Sequence, residues 1–342
     1  MPVMSKLVNV AIVGATGAVG ETLLAILAER QFPVGELHLL ASERSAGAKI
    51  DYGARQLVVR DIAQFDPTGI DIALFAAGGS VSRQYAEKFA AAGAVVIDNS
   101  SEFRRDEDVP LVVAEVNPET LRNRPRGIIA NPNCSTMQLM VALAPLHRSA
   151  KIERINIATY QSVSGTGRDA MDELGKQTAD MLSFREVEPQ VYPVQIAFNV
   201  IPHGGDFMDN GYTTEEMKLV WETRRILGDD TIGVNATVVR VPVFYGHSEA
   251  VHIETRDKLT AAQARELLRA QPGLEIVDEH ADGGYPTPVT HASGNDPVYV
   301  GRIREDISHP RGLSLWVVAD NIRKGAALNA VQLAELVVAE RQ

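Results

Sequence analysis

The chain has 342 residues, enough for two domains with separate cores, and a globular composition of 45% hydrophobic and 23% charged residues. Its 44 Asp and Glu outnumber 33 Lys and Arg, giving a formal net charge of −11. That balance, with no basic block, argues against nucleic acid or an acidic membrane surface as a partner. No apolar run approaches the roughly 18 residues of a membrane helix. The opening "MPVMSKLVNVAIVG" lacks the sections of a signal peptide, and a single cysteine, Cys134, cannot form an internal disulfide. Together these predict a cytoplasmic protein.

Along the chain, "LVNVAIVG" (7–14) is a continuous apolar run, the pattern of a strand buried on both faces of a parallel sheet. A glycine-rich turn and a helix, "ETLLAILAER" (21–30), follow it. Then come the strands "ELHLLAS" (36–42), "RQLVVRD" (55–61) and "DIALFAA" (71–77), a helix over 81–93, and the strand "AVVIDNS" (94–100). Two further short strands are expected in "LVVAEV" (111–116) and "GIIANPN" (127–133). This βαβ rhythm predicts a doubly wound sheet.

The texture changes after Cys134. "STMQLMVALAPLHRSA" (135–150) reads as a helix and "KIERINIATYQSVSG" (151–165) as a long strand. Strand patterns recur in 236–255, 298–306 and 313–320, separated by helical patterns at 168–182, 213–228 and 260–271. The prediction is an α+β domain on a largely antiparallel sheet. An amphipathic last segment, 323–342, is suited to pack back on the first domain.

"VGATGAVGE" places Gly14, Gly17 and Gly20 between the first strand and first helix. Glycines there let the backbone turn tightly and approach a pyrophosphate at a helix N-terminus, as in a Rossmann-like domain. The second strand ends in "LLASERSAG", where Arg44 and Ser45 follow Glu43. A guanidinium and a hydroxyl suit a 2′-phosphate, favouring NADP over NAD; the alternative is a solvated polar loop.

Cys134, in "ANPNCST", precedes a helix whose dipole would favour the thiolate, and Asn133 and Ser135 are good capping residues. Nucleophile and buried structural thiol both fit this placement. Of eight histidines, His247 follows an apolar strand and Gly246, a place where a ring meets a cleft. His252 reads as packed or exposed, and His203 as a turn residue. Arg240 is a charge inside an apolar strand, which demands a partner or a cleft. Arg104 follows a strand end of the first domain, and Lys218 lies one turn after Glu215, compatible with an ordinary ion pair.

The ordered set "GATGAVG", "ASERSAG", "DNSSEFR", "ANPNCST", "YQSVSGTG", "GYTTEEMK", "RVPVFYGHSEAV" and "DNIRKGAALNAVQ" resembles the bacterial aspartate-semialdehyde dehydrogenases and spans nearly the whole chain. The resemblance implies NADPH-dependent reductive dephosphorylation of L-4-aspartyl phosphate to L-aspartate 4-semialdehyde and phosphate, within the biosynthesis of lysine, threonine, methionine and isoleucine. It implies Cys134 as the nucleophile forming an acyl-thioester, His247 as acid/base and Gln161 as the residue orienting the acyl group. Arg240 would bind the substrate carboxylate, Glu215 its ammonium, and Arg104 with Lys218 the phosphate. Thr16, Gly17, Ala18 and Val19 would touch the cofactor phosphates beside Gly14, and Arg44 with Ser45 the 2′-phosphate. Ser164, Gly165 and Asn321 would lie near the nicotinamide end. No metal is implied.

It further implies a homodimer, a dinucleotide-binding domain over 1–133 completed by the helix 322–342, and a catalytic and dimerisation domain over 134–321. One stretch departs from the family pattern: "IPHGGDFMDNGYTTEEMK" carries Gly204 and Gly205 where an aliphatic residue and a short loop are usual. N-acetyl-glutamyl-phosphate reductase, with a blocked amine on its substrate, is the nearest rival; Glu215 with Arg240 favours a free amino acid. A catalytically silent dinucleotide-binding sensor is the remote alternative and would have no use for Cys134, Gln161, Arg240 and His247 together.

Overall fold

The computed structural model describes residues 7–340. Residues 1–6, part of the opening stretch read above, and 341–342, the end of the last predicted helix, lie outside the described residues. The chain divides into two compact units, 1–132 with 326–342, and 133–325.

In the first unit the strands are Val8–Val13 (β1), Val34–Ala41 (β2), Lys49–Tyr52 (β3), Arg55–Asp61 (β4), Ile72–Phe75 (β5), Val95–Asp98 (β6) and Ile128–Ala130 (β7). The sheet order is β3-β4-β2-β1-β5-β6-β7, parallel throughout except for β3, which pairs antiparallel with β4 at the edge. Helices Ala18–Glu29 (α1) and Gly79–Ala91 (α2) supply crossovers. Residues of β1, β5 and α1 share one core with Leu328, Val331, Leu333 and Val337 of the C-terminal helix Leu328–Glu340. The end of the chain therefore completes the core begun at its start.

"LVVAEV" does not form the expected strand. Leu111 makes one isolated bridge to Ala130, and turns follow. The reason is Asn117: its side chain accepts from Val113 N–H at 2.9 Å and donates to Leu111 O at 2.9 Å, satisfying the backbone groups that a ladder would otherwise take.

In the second unit Cys134–Ala150 (α3) is buried almost all round, as its apolar composition dictates, and tolerates Pro145 in its interior. The strands are Ile152–Gln161 (β8), Gly233–Arg240 (β9), His247–Thr255 (β10), Leu274–Ile276 (β11), Val298–Glu305 (β12) and Gly312–Ala319 (β13). Their order is β11-β12-β13-β10-β8-β9, antiparallel at the three central pairings and parallel at the outer two. Helices Arg168–Leu182 (α4), Thr214–Leu227 (α5) and Ala261–Arg269 (α6) fall within one or two residues of their sequence patterns. Capping boxes start α5 at Thr213 and α6 at Thr260, and Gly228 in the left-handed region ends α5. The strand predicted over 151–165 stops at Gln161 and turns into a short 3-10 turn, Val163–Gly165. Among the described residues no helix is long and apolar enough to cross a membrane.

Candidate active site

Sheet register explains how distant residues meet in the second unit. β8 and β9 run parallel and end together, with Gln161 paired to Arg240. β10 runs antiparallel to β8, and Ser248 pairs with Tyr160, so β10 begins with His247 where β8 ends. Three adjacent strands thus deliver Gln161, Arg240 and His247 to one end of the sheet. All three are buried.

Cys134 stands at the first position of α3, partly exposed and outside any disulfide. Asn133 caps this helix: its Oδ1 accepts from Ser135 N–H at 3.0 Å and Thr136 N–H at 3.3 Å. Two carboxylates grip the cap. Asn133 Nδ2 donates to Glu215 Oε1 at 2.6 Å, and Asn133 N–H donates to Glu222 Oε2 at 2.7 Å. Ser135, which follows Cys134, accepts from Gln161 Nε2 at 2.9 Å, while Gln161 Oε1 is buried without a hydrogen-bond partner. The helix N-terminus, the first site of thiolate stabilisation, is therefore fixed from two sides.

Glycines mark the close approaches. A methyl group on Gly165 would lie 2.9 Å from Arg240 Nη1 and 3.2 Å from His247 Nε2, so both side chains close on that one position. A methyl on Gly325 would lie 2.8 Å from Cys134 Cβ. Gly204 and Gly205, the departure from the family pattern, serve the same purpose: methyls there would meet Val238 at 2.9 Å and the Thr214 hydroxyl at 2.2 Å. The loop lies against the start of α5 and leaves Glu215 in the cluster.

Burial alone would push the Glu215 carboxyl up. Lys218, 2.7 Å away, with Arg240 and Asn133, outweighs it and holds Glu215 down at about 2. His247 is pushed down to about 3, first by burial and then by Arg240, against the opposing charge of Glu215. Its Nδ1 accepts from Ser162 N–H at 3.1 Å, which assigns the proton of the neutral ring to Nε2. Nε2 itself is buried without a hydrogen-bond partner. The ring therefore presents a donor, and a hydrogen-bond acceptor or a developing oxyanion is its natural complement.

Asn321 is a buried hub. Its Oδ1 accepts from Ser162 Oγ at 3.0 Å, Ser164 Oγ at 3.2 Å and Gly246 N–H at 2.9 Å, tying down both neighbours of the His247 ring. Ser162 carries no signal of its own in the pattern, although it directly follows Gln161 and opens "SVSG". His252 bonds Ser314 Oγ at 2.8 Å, and His203 stacks on Phe207 at 4.6 Å.

The remaining predicted residues belong to the first unit. Gly14 adopts φ +86°, and a methyl there would meet the Ala76 backbone at 2.8 Å; one on Gly20 would lie 2.3 Å from Gly14 O. These are the tight turn and the close helix–strand packing of a dinucleotide-binding loop. The first helical bond of α1 runs from Glu21 N–H to Gly17 O at 2.9 Å, so the N–H groups of Ala18, Val19 and Gly20 precede the bonded turn. Thr16 is part-buried in the same loop. Arg44, exposed, and Ser45 lie on a 3-10 turn just after β2. Arg104 is buried and braces the ends of two strands, donating to Asn131 O at 2.9 Å and Asn99 O at 2.7 Å. Among the described residues no group of three His, Cys, Asp or Glu is placed to hold a metal.

Comparison with known proteins agrees with this division. Residues 9–124 match the semialdehyde dehydrogenase NAD-binding domain and residues 143–324 the semialdehyde dehydrogenase dimerisation domain. A Legionella pneumophila protein named aspartate-semialdehyde dehydrogenase is 58% identical, over 98% of this chain and 97% of its own. One of that name from Bacillus subtilis is 46% identical, over 97% and 98%. The crystal structure of aspartate semialdehyde dehydrogenase II from Vibrio cholerae, complexed with ASA, superposes with a TM-score of 0.96 at 55% identity, covering 98% of this chain and 99% of that one. The chain belongs to the aspartate-semialdehyde dehydrogenase family and carries that family's nicotinamide-dinucleotide-binding domain.

Proposed function

We propose that the chain reduces L-4-aspartyl phosphate to L-aspartate 4-semialdehyde with NADPH, releasing phosphate. The observation that carries this reading is the convergence, at one sheet end, of Gln161, Arg240 and His247 with the helix that starts at Cys134. The Cys134 thiolate, its proton already released to solvent at the helix start that favours the charged form, attacks the acyl carbon; the carbon–sulfur bond forms as the carbon–oxygen bond to phosphate breaks, leaving a thioester. His247, neutral with its proton on Nε2, donates to oxygen as charge develops. Ser135 and Thr136 N–H are taken by the Asn133 cap, which leaves the donor role to His247 and Gln161 rather than to those amides. Arg240 and Glu215 meet the substrate α-carboxylate and α-ammonium, and Lys218 and Arg104 the phosphate.

The tight Gly14–Gly20 turn fits a dinucleotide pyrophosphate, with Thr16, Gly17, Ala18 and Val19 at its phosphates and Arg44 and Ser45 at the 2′-phosphate. Ser164, Gly165 and Asn321 serve the nicotinamide end. When bound, NADPH supplies the hydride that converts the acyl group on Cys134 to the aldehyde and returns the thiolate. The protein acts in the cytoplasm as a homodimer through the second unit. The functional division is 1–133 with 322–342 for the dinucleotide and 134–321 for catalysis and dimerisation, one residue from the compact units at the first boundary and four at the second.

The test runs the reaction backwards. Aspartate semialdehyde, phosphate and NADP⁺ should yield NADPH absorbance with the wild type and none with Cys134→Ala. Turnover of N-acetyl-glutamate semialdehyde instead would assign the rival substrate. NADPH binding without turnover of either aldehyde would overturn the enzymatic reading.

A further inference from the structure

Two residues beyond His247 on β10, and on the same face of the sheet, Glu249 is fully buried. Neither of its carboxyl oxygens has a hydrogen-bond partner. Strand pairing sets it directly opposite Thr159 of β8, whose hydroxyl is also buried and unpartnered. Gln138, one turn beyond Cys134 on α3, turns a donor toward the Glu249 carboxyl, short of a well-formed hydrogen bond; its Nε2 donates to His247 O at 3.4 Å, and its Oε1 has no partner. A carboxyl group that the proposed chemistry does not use therefore lies where the Cys134 helix meets the His247 strand.

Donor and acceptor counting fixes its form. An ionised carboxylate offers acceptors only, and Gln138 Oε1 is another acceptor, so a charged Glu249 leaves that oxygen without a donor and buries an unpaired charge. A protonated Glu249 supplies an O–H for Gln138 Oε1, and the Thr159 hydroxyl can donate to its other oxygen. Burial pushes the Glu249 carboxyl well above the ordinary carboxylate range, outweighing the Gln138 donor that pulls it down.

We propose that Glu249 is a positioning residue working as the neutral acid: its O–H holds Gln138, Gln138 holds the His247 carbonyl, and the ring of His247 is thereby set against the helix that carries Cys134. The kinetic consequence rests on reading Cys134 and His247 as the acting pair. The protonation state does not.

Two measurements on the whole protein separate these layers. The infrared difference spectrum of wild type minus Glu249→Gln at neutral pH should show the C=O stretch of a protonated carboxyl; a carboxylate band in its place overturns the proposal, whatever the enzyme's activity. In the assay above, Glu249→Gln, which keeps a donor and an acceptor, should stay within about threefold of wild-type kcat, whereas Glu249→Leu and Gln138→Leu should lose about tenfold in kcat with KM nearly unchanged. The Glu249→Leu/Gln138→Leu double variant should be no worse than the poorer single one. Wild-type kcat in Glu249→Leu, or a Glu249→Gln variant as impaired as Glu249→Leu, overturns the positioning role. Should Glu249→Leu fail to fold, Glu249→Gln and the infrared band still decide.

Discussion

Gly325→Ala tests whether close packing against Cys134 holds the thiol where the chemistry needs it. Gly325 lies in the turn Arg323–Ala327, and its backbone is not in the left-handed region, so alanine meets no conformational penalty and the effect is purely steric. The added methyl would stand 2.8 Å from Cys134 Cβ and 3.2 Å from Cys134 Cα. Carbon atoms pack at about 3.5–4.0 Å, so one side must retreat by roughly 0.7 Å or more. The turn is tethered, because Gly325 N–H donates to Asp320 O at 3.0 Å and Asp320 Oδ1 accepts from Ile322 and Arg323 N–H. Cys134 is tethered too, through the gripped Asn133 cap. Strain shared between them should destabilise the protein by about 1–3 kcal/mol. A displacement approaching 1 Å at a nucleophile lowers the rate up to about 100-fold, so we expect kcat to fall about 10- to 100-fold with a smaller change in KM.

Turnover, the rate of Cys134 alkylation by iodoacetamide and thermal unfolding would be measured together. Gly233→Ala is the control, since its methyl would meet Glu153 O at 3.6 Å and Arg154 Cγ at 3.8 Å, ordinary contacts. A Gly325→Ala protein with kcat within about twofold of wild type would refute the reasoning, because the thiol would then tolerate the displacement that the geometry requires.

Two further expectations concern charge. His247 is held down at about 3 in the folded protein, against about 6.5 when unfolded, so between those values the unfolded chain binds the extra proton. Its contribution is fully present above about pH 6.5 and is lost as pH falls toward 3, at up to about 1.4 kcal/mol per pH unit; His247→Asn should flatten the acid limb in denaturant melts, and unchanged slopes would contradict the burial argument. Arg240→Lys keeps the charge but not the planar fork, and should weaken substrate binding by about 1.5–3 kcal/mol, read as a KM increase of about 10- to 150-fold; an unaltered KM would remove Arg240 from carboxylate recognition.

Local signals made much of the first unit legible. Gly14 and Gly20 follow a strand apolar at every position but Asn9, and the structure requires glycine at both for reasons of turn and packing that a pattern can express. "LVVAEV" failed for the opposite reason. Its composition is that of a strand, but the side chain of Asn117, the very next residue, folds back and takes the hydrogen bonds, which the β-propensity of the apolar residues does not express. The candidate site shows the same boundary. Residue types and motif order singled out Cys134, Gln161, Arg240 and His247, yet their meeting depends on sheet register, parallel between β8 and β9 and antiparallel between β8 and β10. The supporting residues carry weaker signals still. Ser162 fixes the His247 tautomer through a backbone N–H that every non-proline residue possesses, and Gly325 contributes by having no side chain. Nothing in "GHSEAV" marks Glu249, because alternation along a strand does not reveal which face is covered. Its burial follows from α3 packing on that face, and α3 is also the helix that carries the thiol. A thiol at the start of a buried helix thus brings with it the environment that the proposed neutral carboxyl needs, a coupling that exists only in the folded chain.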